Sequence, residues 1–264
     1  MTDAARPAPI PPSEPRPSPG SPAEDIAPER MTPVRQAVIG LTLAASIITA
    51  WVALHVYAMW FYSWGAHSWI TAPLLAAALT WLYVGLFIIA HDCMHGSLAP
   101  FRPALNRAVG RTVLFLYAGF DFDALNRKHH LHHRHSGTEG DPDFDAAPPH
   151  GFWHWYAKFM REYFSRRELL IVAAAVWTYI GLLGVPLASV LAFWALPALL
   201  SSLQLFTFGT YLPHVPGPDA FTDRHRARTS RLGWGLSLLT CFHFGYHHEH
   251  HASPATPWWR LPDV

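Results

Sequence analysis

Residues 69–95 read WITAPLLAAALTWLYVGLFIIAHDCMH. The run from Trp69 to Ala90 holds no charged residue, and as a helix it is long enough to cross a hydrocarbon layer of about 30 Å. It passes without a break into His91-Asp92-Cys93-Met94-His95. His91 and His95 are four residues apart, so a helix that continues past the apolar run sets both imidazoles on one face. Neutral imidazole is the commonest protein ligand for a transition metal. This one stretch predicts a membrane-spanning helix whose end carries metal ligands.

Working outward, three more apolar runs appear at residues 38–61, 169–185 and 187–207, the last two parted at Gly184-Val185-Pro186 where a turn is natural. With residues 69–90 they make four spans. Hydrophobic residues are 51% of the chain and charged ones 14%, against about 25% charged in an average soluble protein. The net charge of +1 gives no bulk field for nucleic acid. Basic residues gather before the first span, between the second and third, and after the fourth, while the loop at residues 62–68 has neither Lys nor Arg. The positive-inside rule then puts both termini and the central segment on the cytoplasmic side of the inner membrane. The expectation is an all-α membrane protein of four transmembrane helices in two hairpins, with a cytoplasmic helical cap carrying a His-rich di-metal site. Residues 1–33 hold ten of the 24 prolines and read as a disordered tail ahead of the domain at residues 34–264. Cys93 and Cys241 have no metal or disulfide spacing and read as packing residues.

Two further histidine clusters lie on the same expected side. His129, His132 and His133 stand at i, i+3 and i+4, and so do His247, His250 and His251. Each set falls on one helix face. His214 sits at the end of the last span, at a similar depth. These with His91 and His95 make nine candidate ligands, more than one metal takes. A second register, built on His132 and His135, is also open. Asp92, Asp141, Asp143, His243 and Glu249 are candidates to orient the ligands by hydrogen bonding their rings. His55, His67, His150, His154 and His225 read as bundle, loop or interface residues, and His130 and His248 fall off the ligand faces. A helix is expected around the second cluster, an interfacial or re-entrant segment at 112–120, a loop at 137–149 and an amphipathic interfacial helix at 152–168.

The three clusters resemble the His boxes of the membrane fatty-acid desaturase and hydroxylase superfamily. Within it, the stretches 91–98, the second box through Asp141-Pro142-Asp143-Phe144, 209–214, 242–251 and 257–262 are similar to those of bacterial β-carotene ketolases. The resemblance covers all but the proline-rich tail. It implies two iron ions, dioxygen as cosubstrate and electrons from ferredoxin or a similar donor. It also implies a carotenoid substrate, β-carotene or zeaxanthin, drawn from the lipid bilayer and oxidised at C4 of its ring. A carotenoid ring hydroxylase or a fatty-acyl desaturase or hydroxylase on the same scaffold is the alternative. A zinc hydrolase is disfavoured, because His-Glu-x-x-His is absent and Tyr246 stands where the inverted motif needs histidine. A metal transporter would carry polar ligands within its spans.

Overall fold

The computed structural model describes residues 31–147, 151–217 and 219–264; the tail up to residue 30 and His150 lie outside them. Helix α1 (Pro33–Phe61) begins where the Thr32 side chain accepts the Arg35 N–H at 3.3 Å and Pro33, with no N–H to leave unpaired, opens the first turn. Helix α2 (Ser68–His95) carries the apolar run and the first histidine cluster as one rod. It stops at Gly96, whose φ of +69° lets the Ser97 N–H turn back to the Asp92 carbonyl at 2.9 Å. Helices α3 (Pro103–Ala118), α4 (Phe122–His135), α5 (Phe152–Tyr163) and α6 (Arg166–Trp177, extended by a wide turn Thr178–Leu182) follow. Helix α7 (Leu187–His214) is long, and the short α8 (Trp234–Cys241) and α9 (His247–Ala252) precede a closing 3₁₀ turn, Trp258–Asp263. Among the described residues there is no strand.

Three helices, α1, α2 and α7, are long and apolar enough to cross a membrane. The expected span at 169–185 falls in α6 and its wide turn, which is shorter than those three. Helix α2 is the axis. Of its most apolar window 61% is buried, against 22% for α1 and 33% for α7, and it packs against α1, α3 and α7. The other two turn large side chains outward, such as Trp60 and Phe61 on α1 and Leu191 and Leu199 on α7.

In the middle of the chain one expected helix, at 152–168, is broken in two. The segment at 112–120 lies mostly within α3, a helix laid against α2 with Val113 and Leu114 fully buried. The amphipathic helix expected at 152–168 breaks at Phe164. Ser165 and Glu168 form a reciprocal capping box that starts α6 instead.

Helix α7 contains two prolines, and each follows a turn widened to i→i+5 hydrogen bonding. Leu191–Ala195 precedes Pro197, and Thr207–Tyr211 precedes Pro213. A proline ring clashes with the carbonyl four residues back. Widening the turn relieves that clash without ending the helix, so α7 delivers His214 on the same rod.

Candidate metal centre

The nine histidines come together in two groups. His91 and His95 from α2, His129 and His133 from α4 and His250 from α9 form the first. His132 from α4, His214 at the end of α7 and His247 and His251 from α9 form the second. Within each group one nitrogen per ring lies within 4.8 Å of all the others. Every i, i+4 pair enters one group, and where a histidine stands at i+3, as His132 and His250 do, it enters the other. Helices α4 and α9 therefore each contribute to both, and the groups touch where His133 and His251 stack at 4.2 Å.

The rings present the same atom to one another. Nε2 of His95 and His129 are 2.7 Å apart, His133 and His129 3.1 Å, His250 and His133 2.9 Å, and His91 and His250 3.1 Å. In the second group Nε2 of His132 and His251, and of His251 and His247, are 3.1 Å apart. Adjacent nitrogens around a metal bound at about 2.1 Å are separated by about 3 Å. Tautomers support that reading. His132 donates its Nδ1–H to Asp141 at 2.9 Å, and His214 donates its Nδ1–H to the Arg226 carbonyl at 2.8 Å. Each keeps its Nε2 lone pair for the centre, and the His214 Nε2 is buried with no partner among the described residues. The donor set thus fits two transition-metal ions.

Electrostatics agree. Burial holds His129, His247, His250 and His251 far below the ordinary imidazole value, and neighbouring imidazoles push the same way. Burial lowers His133 to about 2. These rings are neutral and able to ligate. His132 differs. Burial opposes its charge, but the carboxylates of Asp143 and Asp141 outweigh that and raise it.

Asp141 also accepts the backbone N–H of Gly137 at 2.9 Å and of Asp143 at 2.8 Å, and these bonds with His132 hold its carboxyl below the usual range against burial. Burial pushes Asp143 up to about 6, while Tyr163 donates its hydroxyl to it. His132, Asp141 and Asp143 make a third His/Asp cluster, but Asp141 is occupied as an orienting acceptor. Asp92 accepts the Trp258 N–H at 3.3 Å and lies 3.8 Å from His91 Nδ1. Glu249 accepts from Thr229, and His243 lies beside Trp234 and Trp258, so neither is brought to the histidine groups. His135 sits by Gly140 and joins neither group, His130 donates to its own helix at Asn126, and His248 pairs with Asp223. His55 pairs with the Tyr179 hydroxyl at 2.8 Å.

An apolar cavity opens beside the centre. Phe87, Tyr117, Phe120, Phe159, Met160, Phe164, Leu205 and Phe244 line it, and His91 and His129 of one group and His132 and His247 of the other reach its wall. Gly209 is also on this wall. A Cβ there would lie 2.3 Å from the Phe244 ring, so the missing side chain is what admits Phe244. Sequence reading gave no role on this wall to Tyr163, or to Gly209 and Thr210 within the stretch 209–214. No periodic or metal-ligand pattern marks them, because they converge only through the packing of α5 on α7.

The fatty acid desaturase family model matches residues 66–178 and 161–264. A protein named β-carotene ketolase from a Paracoccus strain is 55% identical over 229 residues, 85% of this chain and 91% of that protein. A second Paracoccus β-carotene ketolase is 52% identical with the same coverage, and a Chlamydomonas reinhardtii zeaxanthin 4-ketolase is 40% identical over 87% of this chain and 54% of its own length. The chain belongs to the fatty acid desaturase family, and within it to the β-carotene ketolases.

Proposed function

We propose that the chain is a membrane di-iron oxygenase that oxidises the C4 methylene of a β-ionone ring to a ketone, turning β-carotene into echinenone and then canthaxanthin. On zeaxanthin the same reaction leads toward astaxanthin. The observation that carries this reading is the apolar cavity whose wall includes histidines of both groups. A hydrocarbon ring needs such a slot, and the ketolase relatives support the reaction assigned to it.

His91, His95, His129, His133 and His250 would hold one iron, and His132, His214, His247 and His251 the other. Imidazole sets suit several metals, but insertion of oxygen into a C–H bond calls for a redox-active one. When bound, the two irons activate dioxygen with electrons from a donor such as ferredoxin. Two rounds, each using one dioxygen, two electrons and two protons and releasing one water, take the methylene through a secondary alcohol to a geminal diol. Loss of water from the diol leaves the ketone. Asp141 and the Arg226 carbonyl hold the Nδ1 protons of His132 and His214, which fixes both rings with Nε2 toward the centre. The cavity's aromatic side chains exclude water and keep the ring against the histidines.

We place α1 with α2, and α6 and its wide turn with α7, as two membrane hairpins. The basic-residue distribution sets the histidine groups and both termini on the cytoplasmic side. The substrate enters from the bilayer.

Expression in cells that accumulate β-carotene tests the reaction. Echinenone and canthaxanthin are expected. Hydroxylated carotenoids without ketones, or altered acyl-chain unsaturation with carotenoids unchanged, would overturn the assignment.

A further inference from the structure

The cavity wall carries several hydroxyl groups, and all but one are occupied. Tyr117 pairs with Ser201 at 2.8 Å, Ser202 bonds the Leu199 carbonyl at 2.9 Å and Tyr156 at 2.6 Å, and Tyr163 donates to Asp143. Thr210 lines the same wall, is 5% exposed, and its hydroxyl has no hydrogen-bond partner among the described residues. A helical threonine ordinarily returns its hydroxyl to the carbonyl four residues back. Thr80, Thr112, Thr178, Thr207 and Thr240 all do so, at 2.7–3.0 Å. Thr210 stands in the widened turn Thr207–Tyr211, where the i→i+5 geometry alters the helix around it. The Thr210 oxygen is not among the sealed, unpartnered polar atoms of the described residues, so it is open to the cavity and free to bond what enters it. A wholly hydrocarbon ring offers no partner, whereas a ring that bears a hydroxyl does.

We infer that Thr210 is a specificity-determining residue whose Oγ1 hydrogen-bonds a hydroxyl group on the ring in the cavity. The inference rests on the ketolase reading. Two hydroxyls have the right chemistry. One is already present on a hydroxylated substrate, beside the carbon to be oxidised. The other is placed on that carbon by the first oxidation round, and holding it would retain the alcohol for the second round.

The test uses the full chain in membranes, with β-carotene and zeaxanthin supplied separately, for wild type, Thr210→Val and Thr210→Ser. Products and bound iron are measured together. Valine keeps the shape and removes the hydroxyl. If the substrate hydroxyl is the partner, Thr210→Val lowers ketolation of zeaxanthin relative to β-carotene by about fivefold, the worth of one neutral hydrogen bond. If the newly formed hydroxyl is the partner, Thr210→Val releases 4-hydroxy products from β-carotene where wild type gives ketone. In both cases iron content stays at the wild-type level and serine restores the wild-type product ratio. An unchanged ratio with no accumulating alcohol, or a serine variant that behaves like valine, overturns the inference alone. A wild-type chain that ketolates neither substrate overturns the ketolase reading and this inference with it.

Discussion

At the scale of single residues, an imidazole serves a metal only when it is neutral and turned the right way. Both conditions are met by identifiable neighbours. His132 is turned by Asp141, and Asp141 is itself held by two backbone N–H groups, so the ring cannot swing without breaking its bond to a fixed acceptor. We expect His132→Ala and His250→Ala each to abolish activity and reduce bound iron, measured by metal analysis of purified protein. An active variant that keeps its full iron would remove that residue from the ligand set. Protonation gives a second prediction. In the unfolded chain these rings titrate near 6.5, while burial keeps His129, His133, His247, His250 and His251 neutral in the fold. As pH falls, the unfolded state takes up protons first. The stability these rings contribute is therefore complete above about 6.5 and lost below it, with His132 and the raised Asp143 carboxyl running the other way. Melting of the metal-free protein in detergent should fall steadily from pH 7 to pH 5, and a flat profile would contradict the burial argument.

At the scale of elements, α4 and α9 each contribute to both histidine groups because one helical turn sends i and i+4 to one side and i+3 to the other. Helix α7 serves by reach. Its widened turn at Thr207–Tyr211 carries it past Pro213 to His214 and sets Gly209 against Phe244. Phe244 in turn packs 4.7 Å from His91 and 5.0 Å from His247, ring to ring. A methyl group at residue 209 has nowhere to go, since Phe244 is a buried ring between ligands rather than a flexible chain end. Gly209→Ala should destabilise the fold by about 1–3 kcal/mol, as overpacking of a core does, and lower activity with it. Thermal melting and ketocarotenoid yield would show this together. Wild-type values for both would mean that Phe244 yields without disturbing the histidines.

At the scale of the whole molecule, the two histidine groups join helices that are far apart in sequence. Helix α2 meets α4, α7 and α9 there, and the two histidine groups together draw on all four ends. Metal bound to the folded state alone stabilises it by mass action. Stripping iron with a chelator should lower the melting temperature by several degrees and abolish activity, and restoring ferrous iron should recover both. Loss of activity without a fall in melting temperature would mean that the helix ends are held by packing alone.

Much of this was legible in order of residues. An uncharged run long enough to cross a bilayer has one low-energy state in lipid, and histidines at i and i+4 share a helix face whatever surrounds them, so the helices and the convergence of the histidines follow from local periodicity. The family is written in the boxes and their flanks. What local periodicity cannot contain is the partition of nine histidines between two centres, since i, i+3 and i+4 look like one face until opposing helices press from both sides. The same holds for the break at Phe164, which Ser165 and Glu168 decide through a capping box, and for the burial of α3 against α2. Tyr163, Gly209 and Thr210 acquire their place only when α5 and α7 close on one cavity, because their roles depend on what stands across from them and on no residue beside them in the chain.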